Sequence, residues 1–262
     1  MTIEQTQEYD EALVTLLEAV WGEGYLSPGG PDEIRTIVEG VALGGKSVLD
    51  IGCGTGGITR FLADTYRPAH IVGIDIDAGL IRRANERASA AGLAGILSYQ
   101  TVTPGPLPFA DGSFDVVFSK DAMVHIPDKE ALFADIHRVL RPGGVVAASD
   151  WMSSTEAPFS PEMIYYLERE GLGFGIGSPP RYQAAMAKAG FRDIRFIDRN
   201  AWYQPRARRE YETLKGPLYD GLAARLGRDF VEHEIEVWRS LAVVVDSGEL
   251  RPGLFWAEKP AP

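Results

Sequence analysis

The sequence predicts an α/β fold in which a mostly parallel sheet carries helices on both faces. Short apolar stretches alternate with amphipathic ones between residues 47 and 150, which is the pattern of strands joined by crossover helices. The first of these strands runs into the glycine-rich turn 52–56, and the next one ends in Asp75. Because the carboxyl ends of parallel strands meet at one edge of a sheet, we expect a ligand site at that edge.

The composition fits one large domain, or a domain with a small cap, since the chain has 262 residues of which 45% are apolar. A net charge of −11 repels the phosphate backbone of nucleic acid, whereas a neutral or cationic small molecule is compatible with it. Cys53 is the single cysteine, which excludes an internal disulfide and favours a reducing compartment. The chain shows no basic-then-apolar leader and no apolar run of about 20 residues. We therefore expect a soluble cytoplasmic protein with no membrane partner.

Residues 1–45 are predicted to form a helical lid in front of the sheet. Apolar residues recur at helical spacing in the first part of this segment and predict one helix there: Leu13, Leu16, Leu17 and Val20. After a turn at 27–30, a second apolar series at 34–41 predicts another helix, which delivers the chain to the first strand.

Residues 46–150 are predicted to form the ligand-binding core. Its strands are expected at 47–51, 70–75, roughly 96–102, 114–119 and 144–149, and its helices at 57–66, 78–91 and 129–140. Residues 151–181 then interrupt the alternation after a carboxyl strand end, which indicates a lid insertion. Within this insertion we expect a helix around 163–167 and a loop at 171–180.

Residues 182–262 are predicted to complete the sheet and to add a helical cap over the substrate. We expect a helix at 183–189, a sixth strand at 192–198, a helical stretch from 205 to about 245 and a last strand at 254–257. The four segments are interpreted as parts of a single domain that spans residues 1–262.

The turn 52–56 has the chemistry of a nucleotide cradle. Glycine lets the backbone turn sharply and lets a ligand approach without a Cβ in the way, and the N–H groups of the following helix point at that ligand. Asp75 follows Gly56 by 19 residues. At this separation in sequence, a carboxylate can bind a pair of ribose hydroxyls. The alternative is a tight strand–helix turn with no ligand, which the agreement of the motif with its context disfavours.

Three segments together resemble the class I methyltransferases that use S-adenosylmethionine: Leu49-Asp50-Ile51-Gly52-Cys53-Gly54-Thr55-Gly56, Gly73-Ile74-Asp75 and Val139-Leu140-Arg141-Pro142-Gly143-Gly144. The resemblance covers residues 45–150. It implies a Rossmann-like sheet of seven strands whose last strand is antiparallel. It also implies that the cofactor is S-adenosylmethionine, with S-adenosylhomocysteine as its product.

Nearly the whole chain is similar to the phosphoethanolamine N-methyltransferases, which methylate a small amine three times. The matching segments are 22–30, 119–125, 149–151 and 253–255. The resemblance implies that Tyr9 and His125 close over the methyl donor and that Asp121 handles the amine. Residues assigned on this basis to the cofactor site are Tyr9, Leu26, Gly52, Cys53, Gly54, Asp75, Ile76, Thr103 and Lys120.

Several positions depart from that family. Thr103 stands where the family usually has an aspartate for the adenine amino group, and a hydroxyl makes a weaker hydrogen bond than a carboxylate. Two tyrosines that hold the substrate phosphate are replaced by Leu17 and Trp151, and the basic helix becomes the apolar run 241–245 followed by Asp246. A buried phosphate needs paired donors or cations, so a phosphobase substrate is not expected.

His125 and Asp121 are the candidate proton acceptors, because an amine must be neutral to attack the methyl group and both residues follow a carboxyl strand end. A local hydrogen bond of His125, a helix cap at Asp121 and simple packing of Tyr9 remain as alternatives. The candidate acceptor-binding residues are Glu8, Trp151, Tyr165 and Arg169. The two aromatic rings would wall an ammonium group, although packed aromatic and solvated charged residues are equally typical. The histidines and Cys53 show no metal-ligand spacing, so no metal is expected.

The sequence therefore predicts methyl transfer to a small molecule, at the nitrogen of a small amine or an amino-acid-like compound. One alternative is transfer to oxygen, carbon or sulfur of a secondary metabolite, which the run 241–245 would favour if it lined the pocket. The others are modification of a macromolecule, against which the acidic charge and the enclosed lid argue, and S-adenosylmethionine binding without catalysis. A monomer or homodimer is expected.

Overall fold

A seven-stranded sheet organises the computed structural model, which describes residues 9–261. The strands are β1 Ser47–Ile51, β2 His70–Asp75, β3 Leu97–Thr101, β4 Phe114–Lys120, β5 Leu140–Ser153, β6 Arg192–Asp198 and β7 Leu250–Glu258. Their order in the sheet is β3-β2-β1-β4-β5-β7-β6. Strands β1 to β5 run parallel, and β7 is antiparallel to both β5 and β6. This confirms the seven-stranded, mostly parallel sheet that the resemblance implied.

Helices cover the sheet and form a cap at one edge of it. They are α1 Glu11–Trp21, α2 Gly30–Ile37, α3 Gly57–Tyr66, α4 Ala78–Ala90, α5 Lys129–Val139, α6 Pro161–Glu170, α7 Pro179–Ala189, α8 Asn200–Lys215, α9 Tyr219–Leu226 and α10 Arg228–Asp246. A single 3₁₀ turn, Met123–His125, follows β4 in the described chain. Within residues 9–261, no helix combines the length and the apolar character needed to cross a bilayer.

The two faces of the sheet bury two separate apolar clusters. Val48 packs with residues of α2, α3 and α4, whereas its neighbour Leu49 packs with residues of α5 and α7. Successive side chains of a strand point to opposite faces, so helices cover the sheet on both sides. A third cluster joins α1, α6, α8 and α10 through Leu16, Tyr166 and Trp238. This third cluster is the cap that the N-terminal and C-terminal segments build together.

Strand register places the predicted ligand residues at one edge. Ile51 at the end of β1 pairs with Ile74 of β2 on one side and with Ser119 of β4 on the other. Because the three strands end at the same level, the turn 52–56, Asp75 and the segment after Ser119 follow side by side. The sheet thereby assembles the candidate site from segments that are far apart in sequence.

Two helices begin earlier than the apolar pattern indicated, because a Ser-Pro pair starts each of them. Ser160 Oγ accepts a hydrogen bond from the Met163 N–H at 3.1 Å, and α6 begins at Pro161. Ser178 caps α7 in the same way, with Pro179 as its first residue. Proline suits the first helical turn, where its missing N–H would have no intrahelical partner. The loop expected at 171–180 is therefore shorter than the prediction.

Other boundaries also differ from the prediction. The helical stretch 205–245 is three helices, α8, α9 and α10, and Gly227, with a φ of 94°, lies between the last two. The second N-terminal helix ends at Ile37. Strand β5 begins at Leu140 because that residue pairs with Phe114, although the register is irregular before the regular ladder starts at Val116.

Candidate functional site

The glycine turn is closely packed against the neighbouring segments. Gly52 has a φ of 73°, and its N–H and that of Cys53 donate to the Ile74 carbonyl at 2.8 and 3.0 Å. A Cβ on Gly52 would lie 2.1 Å from the Ala122 Cβ, and one on Gly54 would lie 3.0 Å from Leu26 Cδ1. The turn therefore has no room for a side chain at Gly52. Its glycine backbone packs directly against the segment that contains Leu26 and the segment that follows β4.

We expect Gly52→Ala to destabilise the protein by about 1–3 kcal/mol more than Gly45→Ala does. Gly45 is a matched control because its φ of 69° imposes the same backbone strain, while a Cβ there meets nothing within 4 Å. The difference between the two variants thus isolates the collision with Ala122. Chemical denaturation measures both values, and equal losses of stability would show that the turn moves freely.

Asp75 ties the end of β2 to the glycine turn. Its carboxylate accepts hydrogen bonds from the Gly54 N–H at 3.0 Å and from the Asp77 N–H at 3.0 Å. Burial raises the pKa of Asp75, and the backbone N–H groups of Asp77 and Gly54 oppose that rise. The carboxylate is thus held at the strand end, as a ribose-binding group at this position requires.

The surface beside Asp75 suits an adenine ring. Ile76 follows Asp75 directly and is 49% exposed, so an apolar side chain is accessible beside the carboxylate. Thr103 is exposed in the loop that follows β3. The Val102 N–H donates to the Asp75 carbonyl at 2.9 Å, so this loop begins beside the end of β2. An apolar side chain, a hydroxyl and a carboxylate on these adjoining segments fit an adenosine group, so the residues present fit S-adenosylmethionine. Their contacts with it remain predictions.

Asp50 and Cys53 face the protein interior. Asp50 accepts a hydrogen bond from Thr59 Oγ1 at 2.6 Å, and burial raises its pKa to about 7. The Cys53 side chain is buried, and burial together with the Asp50 and Asp75 charges raises the pKa of its thiol. A buried thiol of raised pKa is a poor nucleophile, which agrees with the expectation that Cys53 fills space.

Asp121 is held rigidly at the end of β4. It is a non-glycine residue with a φ of 57°, in the left-handed region, and its carboxylate accepts from Ser149 Oγ at 2.7 Å. Lys120 Nζ lies 2.5 Å from the same carboxylate and 2.9 Å from Ser27 Oγ. Asp121 makes no capping hydrogen bond to the 3₁₀ turn, so the capping alternative is wrong. The Lys120 ammonium faces Ser27 and Asp121, and its predicted cofactor contact stays a prediction.

His125 lies at the end of the 3₁₀ turn, which a buried polar network holds in place. Asp150 Oδ1 accepts from the Val124 N–H at 3.0 Å, and Lys129 Nζ donates to the Met123 and Ile126 carbonyls at 2.7 and 2.6 Å. Lys129 and Asp150 are fully buried. A network of this kind leaves the backbone beside His125 little freedom.

The His125 ring contacts one aromatic side chain from the N-terminal segment and one from the insertion 151–181. Its centroid lies 6.3 Å from that of Tyr9, edge to face, and 5.1 Å from that of Phe174. Tyr9 therefore lies beside His125 in the site. That the two residues close over the methyl donor, as the resemblance implies, stays a prediction. Their catalytic roles stay predictions.

A cavity of about 60 Å³, partly open to solvent, lies over this edge of the sheet. Predicted site residues in its wall are Tyr9, Leu26, Asp121, His125 and Trp151. The remaining wall residues are Leu13, Leu17, Trp21, Ser27, Tyr166, Glu170, Leu172, Phe174, Tyr203, Glu234, Val237, Trp238 and Leu241. The wall is thus aromatic and acidic, and the described residues that form it include no Lys or Arg.

Two of the predicted acceptor-binding residues lie outside this wall, which corrects their placement. Tyr165 OH donates to Glu236 Oε1 at 2.8 Å, and the Arg169 guanidinium lies 5.3 Å from the Tyr165 ring centroid. Both face away from the cavity because the helix presents the next residue along, Tyr166 and Glu170, to the cavity instead. A shift of one position turns a helical residue by about 100°. Glu8 lies outside the described residues.

The wall contains two carboxyl groups that sequence reasoning missed, Glu170 on α6 and Glu234 on α10. Burial raises the pKa of Glu170 to about 8, with the Glu234 charge as the second cause. Burial also raises the pKa of Glu234 to about 7, and Asp10 adds to that rise. A signal was present in the sequence, because Glu234 interrupts an apolar series at helical spacing between Val231 and Trp238.

We expect the stability of the protein without ligand to fall as the pH rises from about 5 to about 8. A carboxyl whose pKa is higher in the folded state stabilises that state while protonated, and this contribution is lost as the pH passes about 7 for Glu234 and about 8 for Glu170. Glu170→Gln and Glu234→Gln should each raise the Tm near pH 8 by about 2–4 °C and change it little near pH 5. Thermal unfolding checks this, with the exposed Glu232→Gln as control; an unchanged pH dependence in both variants would contradict it.

Within residues 9–261, no group of three or more His, Cys, Asp or Glu side chains could hold a metal ion.

Known proteins share both the sequence pattern and the architecture. Residues 49–148 match the family described as "Methyltransferase domain". Phosphoethanolamine N-methyltransferase 3 of Arabidopsis thaliana is 30% identical over 253 residues, which cover 96% of this chain and 50% of that protein. A glycine/sarcosine/dimethylglycine N-methyltransferase of Actinopolyspora halophila is 30% identical over 210 residues, which cover 80% of this chain and 36% of that protein. The chain thus spans about half the length, or less, of these relatives.

A solved structure extends the likeness to three dimensions. Phosphoethanolamine N-methyltransferase 2 of Haemonchus contortus, in complex with S-adenosyl-L-methionine, matches with a TM-score of 0.86 at 25% identity. The match covers 98% of this chain and 58% of that one. The glycine turn, the strand order and the antiparallel β7 therefore belong to an architecture known to hold S-adenosylmethionine.

Proposed function

Because the chain contains a class I S-adenosylmethionine-dependent methyltransferase domain, we propose that the protein transfers a methyl group from S-adenosylmethionine to the nitrogen of a small amine. The observation that carries the choice of acceptor is the charge of the cavity wall. Asp121, Glu170 and Glu234 lie in that wall among aromatic rings, and the described residues of the wall supply no Lys or Arg. An ammonium group suits such a wall.

The same observation argues against acidic acceptors. A buried phosphate or carboxylate needs paired donors or cations, and the residues 1–8, which the structure does not describe, contain no Lys or Arg in their sequence. The acceptor therefore differs from phosphoethanolamine, after which the plant and nematode relatives are named. It is an amine without an acidic group.

The chain's own residues then have separate roles. When bound, S-adenosylmethionine supplies an electrophilic methyl group, and the turn 52–56, Asp75 and Ile76 would hold it. His125 accepts the proton that the ammonium form must lose before its nitrogen can attack. Asp121, fixed by Ser149 and Lys120, offers carboxylate oxygens at the wall that can accept a hydrogen bond from the acceptor amine. The cap helices exclude water and position the acceptor for in-line attack.

Transfer to oxygen or carbon of an apolar metabolite is the second candidate. The aromatic wall favours it, and so does Leu241, the one residue of the run 241–245 that is part of the described wall. Glu170 and Glu234 count against it, because an uncharged acceptor would leave these two carboxyl groups without a counter-ion.

A labelled-methyl assay tests the proposal. The panel contains simple amines, amino acids, phosphobases and phenols, and each product is identified by mass spectrometry. We expect label on the nitrogen of amines that lack an acidic group, with much lower transfer to phosphobases and amino acids. Transfer to phenols alone would favour the second candidate, and preference for a phosphobase would contradict the account of the wall.

We also propose that the protein acts in the cytoplasm as a monomer or homodimer. The buried, single Cys53 supports a reducing compartment. Size-exclusion chromatography with light scattering measures the oligomeric state.

A further inference from the structure

We propose that Glu170 and Glu234 form a second cation subsite, so that the acceptor carries a positively charged group besides the nitrogen that is methylated. The acceptor class is then a diamine. This inference rests on the proposed function, because it names the substrate class for the same cavity. The proposed function uses Glu170 and Glu234 only as part of the charge of the wall, and the inference gives these two residues a binding role of their own.

The two carboxyl groups come from different helices and share one cavity. Glu170 is the last residue of α6, and Glu234 lies in the first half of α10. Each helix presents its carboxyl group to the wall that also contains Asp121 and His125. The charge of Glu234 acts on Glu170, and both charges act on the Tyr166 hydroxyl, so the three groups are neighbours.

Neither carboxyl group has a counter-ion. Glu234 is 8% exposed, yet within residues 9–261 it has neither a side-chain hydrogen bond nor an ion pair. The same holds for the partly buried Glu170 in the described part of the chain. Other buried carboxylates of this protein are partnered: Glu33 pairs with Arg199 at 2.5 Å, and Asp121 pairs with Lys120 at 2.5 Å. A largely buried carboxyl group without a counter-ion costs stability. Two such groups that line one partly open cavity therefore indicate a site for a cationic ligand.

The surroundings point to an organic cation. Tyr9, Tyr166 and Phe174 line the same cavity, and aromatic rings attract an ammonium group. The raised pKa values of about 8 for Glu170 and about 7 for Glu234 agree with carboxyl groups that lack a counter-ion in this state. Asp121 and His125 are already assigned to the reacting nitrogen, so the additional pair is available to a second ammonium group of the same molecule.

The test compares putrescine, a diamine, with n-butylamine, which has the same carbon chain and one amino group. Initial rates with S-adenosylmethionine give kcat and KM for both amines. Calorimetry in the presence of S-adenosylhomocysteine gives their affinities without catalysis. The variants are Glu170→Gln, Glu234→Gln and the double variant, and the exposed Glu232→Gln on α10 is the matched control.

We expect the wild-type protein to bind putrescine about tenfold or more tightly than n-butylamine, with most of the difference in KM. The double variant should lose that preference, with most of the loss in the KM for putrescine. Glu232→Gln should keep both the preference and the wild-type kcat for n-butylamine. Equal affinity of the wild-type protein for the two amines would overturn the subsite, and so would a preference that survives in the double variant. Absence of methyl transfer to every amine would overturn the proposed function instead, and the calorimetric comparison would still decide the subsite.

Discussion

Replacing Asp75 by alanine is expected to weaken S-adenosylmethionine binding by about 1.5–3 kcal/mol, or roughly ten- to hundredfold. Asp75 ends β2 beside the glycine turn, where its carboxylate would take the ribose hydroxyls. The same carboxylate accepts from the Gly54 N–H at 3.0 Å, so its loss also releases the turn. Isothermal titration calorimetry with S-adenosylmethionine and S-adenosylhomocysteine measures the effect.

Two further variants separate the possible causes of that loss. Asp75→Asn keeps an oxygen that can accept from the Gly54 N–H but removes the charge, so it should lose less affinity than Asp75→Ala. Asp64→Ala removes an exposed carboxylate that pairs with Arg60 at 3.5 Å, and it should bind normally. Unchanged affinity in Asp75→Ala would mean that the ribose is held by other residues.

Replacing His125 by alanine is expected to lower kcat by about 10²–10⁴ while the affinity for S-adenosylmethionine changes by less than about threefold. The imidazole is the group placed to accept the proton that the amine loses, and it contacts Tyr9 and Phe174 in the cavity wall. The 3₁₀ turn is held by Asp150 and Lys129, so the fold should tolerate the change. Single-turnover kinetics and calorimetry provide the two quantities.

His70→Ala is the control for this variant. His70 begins β2 at the opposite edge of the sheet, where it hydrogen-bonds to Ser98 at 2.9 Å, and its loss should leave kcat unchanged. If His125→Ala turned over at the wild-type rate, the proton would leave by another route, and the role that the resemblance implies for His125 would not hold.

Much of the fold follows from local pattern. The alternation of apolar and amphipathic stretches predicts the strands of the core within one or two residues for β1 to β4, because a buried parallel strand is a short apolar run between turns. Boundaries set by tertiary pairing were less predictable. Strand β5 starts at Leu140 because that residue pairs with Phe114, a contact that no local pattern indicates.

The two halves of the site differ in the same way. The glycine turn and Asp75 are a local motif with a fixed spacing, so the sequence predicted that half from its own chemistry. The acceptor cavity is built from the N-terminal segment, the insertion 151–181 and the C-terminal cap helices. Its wall depends on how each helix is rotated about its axis. A rotation by one residue exchanged Tyr165 for Tyr166 and Arg169 for Glu170, which reversed the charge expected at that wall.

This reversal narrows the choice of acceptor, because the sequence alone left both a small amine and an amino-acid-like compound open. With Arg169 in the wall, an acidic group on the acceptor would have a partner. With Glu170 and Glu234 there instead, the same cavity disfavours anions and favours cations. The resemblance to phosphoethanolamine N-methyltransferases therefore carries over to the fold and the donor site further than it does to the acceptor.

The central claim is that this edge of the sheet holds S-adenosylmethionine beside an amine-binding cavity. Calorimetric titration of the wild-type protein with S-adenosylhomocysteine, followed by titration of the complex with putrescine, tests it most directly. We expect saturable binding of S-adenosylhomocysteine, and then saturable binding of putrescine to that complex. No heat with S-adenosylhomocysteine, or binding of phosphoethanolamine but not of putrescine to the complex, would contradict the account.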